Sequence, residues 1–390
     1  MKRILITGFF LFIVGCGEES SKIQIHLKPL SSDISIRSAD LLNFEVWSNS
    51  ETKIFSHSLK DSDSFEFKGA WDDDISVSVE GMKGSEVIFF GISAPFYPWE
   101  VKDKIYIPVY VEDEFRRVPE FSGISPEWIC GNKNGFVAIG DNGIFRVNLL
   151  SFKMERIYES IEDGCGCAFT SDGILIGRKG KVLYLKEGEY KEYDLGGIEK
   201  FSIFSAGKYA VISGGLSSGK KSAESYIFKD GDLKKWKNMN SPRAGHIAIP
   251  LDNGDFLIAG GGGEPEIWRN EKMNFEKFSA SRTIGDVSAG LFLDNKIFLI
   301  KKDTGELLEI ELLSGKVNSS AIFNGVHGAG DGRLGMFVNN EGDVLILPDL
   351  KTFHIEEIEA SNNKIYSTRG IFMVVSKRGF YIYMKKEVLK

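Results

Sequence analysis

Few side chains in this chain are of a kind that does chemistry, and three of them stand close together. Residues 325–333 read Gly-Val-His-Gly-Ala-Gly-Asp-Gly-Arg. An imidazole (His327), a carboxylate (Asp331) and a guanidinium (Arg333) are thus set among glycines. That is the makings of a polar binding cluster. It is not a phosphate loop, because no Lys-Ser or Lys-Thr follows and no helix opens there. Cys130, Cys165 and Cys167 allow one disulfide with one thiol over, or none. The Cys165-x-Cys167 pair lacks a clustered third ligand for a soft metal, so it reads as structural. Asp61, Asp63 and the run Asp72, Asp73, Asp74 lack the ligand spacing of a calcium loop and read as solvated turns. No nucleophile elbow, His-Glu-x-x-His or dinucleotide fingerprint occurs. No catalytic residue, metal or cofactor is assigned.

The N-terminus carries an address. Lys2 and Arg3 precede an apolar run over residues 4–14, too short for a comfortable membrane span. The run ends Ile13-Val14-Gly15-Cys16, which resembles the lipobox of bacterial lipoproteins. That resemblance implies loss of residues 1–15, acylation of Cys16, and a tether over 16–21. The partner so implied is a membrane, reached through an N-terminal lipid, and the location is the cell envelope. Residue 17 is Gly rather than Asp, so the family's inner-membrane retention signal is missing and the outer membrane is expected where one exists. The mature 375 residues carry a formal charge of -9, against -7 for all 390. A mildly acidic body of mixed charge excludes nucleic acid, which needs a basic face.

The elements that must position these groups are strands. Helical periodicity is nearly absent, while short apolar runs alternate with Gly, Asn and Asp turns. Seven strand candidates fall at 23–27, 42–47, 53–58, 65–67, 75–79, 86–92 and 104–111. In the last, Ile105, Ile107, Val109 and Val111 share a face, and Pro108 suits an edge strand. Residues 22–112 therefore read as a β-sandwich, similar to small immunoglobulin-like or carboxypeptidase-regulatory-like domains.

From about residue 116 a repeat sets in. Its clearest unit runs Arg243-Ala-Gly-His246, a polar Asp-Asn-Gly turn at 252–254, the apolar run 256–259, Gly260-Gly261, Trp268, then Phe275 and Phe278. This resembles the kelch repeat of β-propellers, which implies structural places for Arg243, His246 and the double glycines Gly214-Gly215 and Gly260-Gly261. Related second-strand runs are read at 136–139, 174–176, 209–212, 297–300, 344–346 and 372–375. Units end at Ile157, Tyr193, Trp236, Phe278, Phe323 and Ile358, a spacing suited to four-stranded blades. Six units fit before residue 359, and the tail supplies three more strands. Residues 115–121 could donate the fourth, giving seven blades over 113–390, with six as the alternative. On this scheme Cys130 and the Cys165/Cys167 pair fall on inner strands of neighbouring repeats, so Cys130 pairs with one or the other, or all stay free. The 325–333 stretch precedes its blade's inner strand, at a channel mouth.

Kelch propellers include copper radical oxidases that resemble galactose oxidase, which need two His and two Tyr around the metal. His246 holds a structural repeat position and His354 an outer strand, leaving His327 without a partner, so no copper site is assigned. The fold class expected is all-β, a small immunoglobulin-like sandwich followed by a kelch-like propeller. The role expected is non-catalytic binding of a protein, peptide or glycan. An extracellular glycan-active enzyme, or a structural subunit of an envelope assembly, are the alternatives.

Overall fold

The computed structural model describes residues 21–48, 53–60, 64–69, 74–101, 104–111, 114–121, 124–132, 135–159, 161, 164–186, 188–358, 362–368 and 370–384. Cys16, Asp61, Asp63, Asp72 and Asp73 lie outside the described residues, as does the side chain of Cys165.

All seven N-terminal strand candidates are strands: Ser21–Pro29, Leu41–Ser48, Lys53–Leu59, Ser64–Gly69, Ile75–Lys83, Glu86–Ile92 and Lys104–Tyr110. Alternation is clearest in Leu41–Ser48, where every second residue is buried, as a one-sided strand requires. The expected sandwich of two separate sheets is corrected in one respect. The seven strands form a single hydrogen-bonded sheet, joined by a narrow seam of two pairs, Phe90 with Tyr110 and Gly91 with Val109. Apolar side chains from both sides of the seam, Phe44 and Val79 on one and Ile25 and Ile107 on the other, enter one core. Pro108 is not on an edge strand, since Lys104–Tyr110 lies between two partners. Its missing N–H is tolerated because pairing across the seam begins only at Val109.

Among the described residues, the rest of the chain builds seven four-stranded antiparallel sheets and one two-stranded ribbon. The first strands of the seven sheets are Pro126–Asn132, Gly164–Phe169, Ser202–Ala206, Ile247–Pro250, Val287–Leu293, His327–Gly330 and Lys364–Thr368. Each packs beside the next, and the seventh packs beside the first, so the sheets close a ring. Second strands such as Gly135–Gly140, Phe256–Ala259 and Ile371–Ser376 are buried throughout, because neighbouring sheets cover both of their faces. The seventh sheet takes its outer strand from Arg116–Arg117, which pairs with Tyr381 and Ile382. The two ends of the repeat region are thereby zipped together, as residues 115–121 were expected to do.

In the sixth sheet the strand assignment shifts by one. The 344–346 run, read as a second strand, is the third (Asp343–Leu347), and Gly335–Val338 is the second. The first is His327–Gly330 itself. The glycine-rich stretch is therefore not a connection preceding the inner strand but is that strand.

Candidate functional site

The first strands run in one direction around the channel. Leu293, at the end of one, bridges in parallel to Gly332, just past the end of the next. Their heads therefore share one mouth, and the turns into the second strands share the other.

This separates the three residues grouped by sequence. His327 is at the head of its strand, whereas Asp331 and Arg333 lie in the turn beyond its end. Four residue steps along a strand cover about 13 Å, so they do not form one cluster. Asp331 has a structural task. Its carboxylate accepts N–H bonds from Leu334 at 3.0 Å and Arg333 at 3.4 Å, and from Gly370 in the corresponding turn of the seventh sheet. Burial raises its pKa above the ordinary carboxylate value, against the pull of those backbone donors. Arg333 is exposed.

His327 has different company. Its Nδ1 accepts the backbone N–H of Ile365 at 3.4 Å, on the adjacent first strand. Burial pushes its pKa down to about 3, and the nearby Lys364 charge adds to the fall. The ring is neutral at pH 7, with its proton on Nε2, where it can only donate.

Lys364 and Trp128 complete this mouth. Lys364 heads the seventh first strand and is only 8% exposed. Its ammonium lies 5.5 Å from the centroid of the Trp128 ring, on the first sheet, within cation–π range. Burial pulls the lysine pKa down to about 8, partly offset by the charge of Glu127. Trp128 is 38% exposed, an unusual position for so large an apolar ring. Its indole N–H is fixed by a 2.9 Å bond to the Gly164 carbonyl on the second sheet. Asn363, fully buried, donates to the carbonyls of Asn339 at 2.8 Å and Ile358 at 3.2 Å, which holds the approach to Lys364. Sequence reading named His327 but missed Lys364 and Trp128. Lys364 follows Ser-Asn-Asn and looks like part of a turn, and its partners are distant in sequence.

The expected structural residues form a second, closed set. Arg243 is 0% exposed and pairs with Glu266 at 2.7 Å, itself buried. Arg243 also donates to the carbonyls of Gly260 (3.3 Å) and Glu264, and Glu266 accepts the backbone N–H groups of Asn240 (2.8 Å) and Ser241 (2.9 Å). His246 is buried with Nε2 2.9 Å from the Ser213 hydroxyl, and burial lowers its pKa to about 3. Of the double glycines, Gly214 and Gly261 pack against the His246 side chain and the backbone of Arg243 and Ala244. A Cβ on Gly214 would stand 2.8 Å from the His246 ring, and one on Gly261 3.0 Å from the His246 Cβ, and both have positive φ. Gly215 and Gly260 flank them with positive φ as well. His354 sits on an outer strand, paired with Asp343 at 2.8 Å. Cys130 and Cys167 are joined by a disulfide between neighbouring first strands, with Cα atoms 5.6 Å apart, inside the range such bridges prefer. Among the described residues no group of three or more His, Cys, Asp or Glu could hold a metal ion.

A closed ring of four-stranded sheets around a channel, its last sheet completed by a strand from the start of the repeat region, defines a β-propeller. Comparison with solved structures agrees. The virginiamycin B lyase of Staphylococcus aureus aligns with a TM-score of 0.52 at 12% identity, over 69% of this chain and 98% of that one. The WD40 β-propeller domain of Doa1 aligns with a TM-score of 0.51 at 11% identity, over 71% and 99%. Such likeness establishes the fold. No family model matches the chain, and no curated protein matches it.

Proposed function

We propose that the chain is an exported lipoprotein, anchored through Cys16, whose propeller is a non-catalytic binding module for a glycan, protein or peptide. The seven sheets serve as seven blades of kelch-like type. The Arg243–Glu266 pair, the His246–Ser213 contact and the double glycines support that type by doing the packing work the resemblance implied. The lipobox-like ending at Cys16 supports the anchor, and Gly17 favours the outer membrane where the cell has one.

One observation carries the binding role. At a single channel mouth, heads of neighbouring strands present an exposed, fixed indole beside a desolvated lysine and a neutral histidine. The N-terminal sheet docks away from it. Its Tyr106 N–H bonds the Leu150 carbonyl at 2.7 Å and its Tyr110 hydroxyl the Met384 carbonyl. Leu150 follows the third strand of the first sheet, and Met384 ends the third strand of the seventh. Third strands run as first strands do, so these contacts lie at the opposite mouth. A tether leaving that sheet would present the indole mouth away from the membrane.

The test is an array of glycans and peptides probed with residues 17–390, with each hit then incubated to look for turnover. Binding without turnover is the expected result. Turnover would move the protein to the enzyme class, and silence across the array would favour assembly with another envelope protein. Fractionation of a Cys16→Ser variant tests the anchor, with release of a folded protein from membranes expected.

A further inference from the structure

We propose that the mouth formed by Trp128, Lys364 and His327 is a seat for a carboxylated sugar ring, so that the ligand is an acidic, hexuronate-containing glycan. This rests on the binding reading above and narrows it.

Three chemistries have to be met at once. The indole of Trp128 offers a fixed apolar plane whose N–H is already spent on Gly164. It can therefore serve a ligand only through its face or edge, as the C–H side of a pyranose requires. The Lys364 ammonium lies against the same ring, and among the described residues it has neither an ion pair nor a hydrogen bond. Glu127 acts on it electrostatically. A charge so desolvated gains most from an anionic ligand group placed beside it. A single carboxylate fits a lysine, a compact point charge, without the fork geometry of an arginine site. His327 adds a donor of fixed sense. Its Nδ1 is engaged by Ile365, so Nε2 must donate, and a sugar hydroxyl accepts. A neutral sugar would leave the lysine without an anion. A simple aliphatic acid would lack the ring whose C–H face covers the indole.

Together with the array, the experiment titrates residues 17–390 with oligogalacturonates of four to six units, and separately with the same oligomers reduced at the carboxyl groups. Binding is read by calorimetry and by tryptophan fluorescence. Saturable binding of the acidic oligomers is expected, at least tenfold tighter than that of the reduced ones. Lys364→Met should weaken the acidic oligomers by tenfold or more and remove the preference, while Lys364→Arg keeps most of it. Trp128→Ala should weaken both series, with the far-ultraviolet circular dichroism unchanged. Equal affinity for acidic and reduced oligomers would overturn the proposal, as would wild-type affinity in Lys364→Met. If the oligomers fail to bind while the array returns a peptide or a neutral glycan, the seat is refuted and the binding role stands. If neither binds, both fall.

Discussion

Arg243 and Lys364 are both buried cations, and their surroundings give them opposite roles. Arg243 is matched by Glu266, and the carboxylate is itself held by two backbone N–H groups, so the charge pair is closed. Removing one partner strands the other, which typically costs 3–5 kcal/mol. Glu266→Gln should therefore lower stability by about 3 kcal/mol, seen as a shift in the urea midpoint with an unchanged slope. A loss below about 1 kcal/mol would show that the guanidinium is balanced by its carbonyl contacts alone. Lys364 is not closed in this way, and its stability contribution follows pH. The unfolded chain keeps the lysine proton to a pH near 10.5, whereas the folded protein releases it near 8. The unfolded state binds more protons between those values, so stability rises with pH across that window. Below pH 8 the folded state carries the full cost of a buried charge. Lys364→Met should thus be more stable than wild type at pH 7, by on the order of 3 kcal/mol at most. The advantage should shrink as pH climbs from 8 to 10.5. An advantage that stays flat over that range would mean that the ammonium is solvated in the folded protein.

At the scale of elements, the ring is held by contacts between first strands, and one of these is covalent. The Cys130–Cys167 bridge spans a sequence separation of 37. Closing a loop of that size restricts the unfolded chain by roughly 3–4 kcal/mol. Cys130→Ser, or reduction of the wild type, should lower stability by that order, and a denatured, unreduced body lacking Cys16 should titrate as one thiol. Three thiols would show that the bridge is not formed. How much of this was legible depends on what each strand buries. The N-terminal strands could be read because alternating burial leaves alternating residue types, as in Leu41–Ser48. Second strands could be read as short apolar runs because both faces are covered. The strand His327–Gly330 could not. It lies where neighbouring strands crowd together, and a Cβ on Gly328 would meet the Phe337 ring at 2.6 Å. Its residues are small for packing reasons and so imitate a loop. Lys364 was hidden for a related reason, since the indole beside its ammonium belongs to Trp128 on another sheet. The disulfide was legible only as an open choice between Cys165, Cys167 and no bridge at all, because two cysteines on alternate positions share a strand face and cannot be ranked without a register.

At the scale of the molecule, the N-terminal sheet and the ring are not independent bodies. One continuous core runs from Phe44, Ile107 and Tyr110 of the sheet to Phe121, Leu150, Phe152 and Met384 of the ring. Lys28 adds a 2.7 Å ion pair to Glu120 and lies over the Phe152 ring at 5.1 Å. The covered part of the ring includes its own closure. Phe121 stacks on Phe152 of the first sheet and meets Phe380 of the seventh, so the sheet packs over the seam where the ends are zipped. Linked domains commonly meet through modest, polar interfaces and move relative to one another. A shared apolar core at the closure predicts the reverse, namely that the two parts unfold together. Residues 17–390 should show one calorimetric transition, with matching van't Hoff and calorimetric enthalpies. Residues 113–390 alone should melt at least 10 °C lower or aggregate, because the closing seam would be open to water. Two resolved transitions in the longer chain, or an isolated ring with unchanged melting, would show that the sheet is only a spacer. On the expected outcome the sheet is a clamp that keeps the ring closed, and the rigidity of the indole mouth depends on a domain docked at the opposite end of the channel.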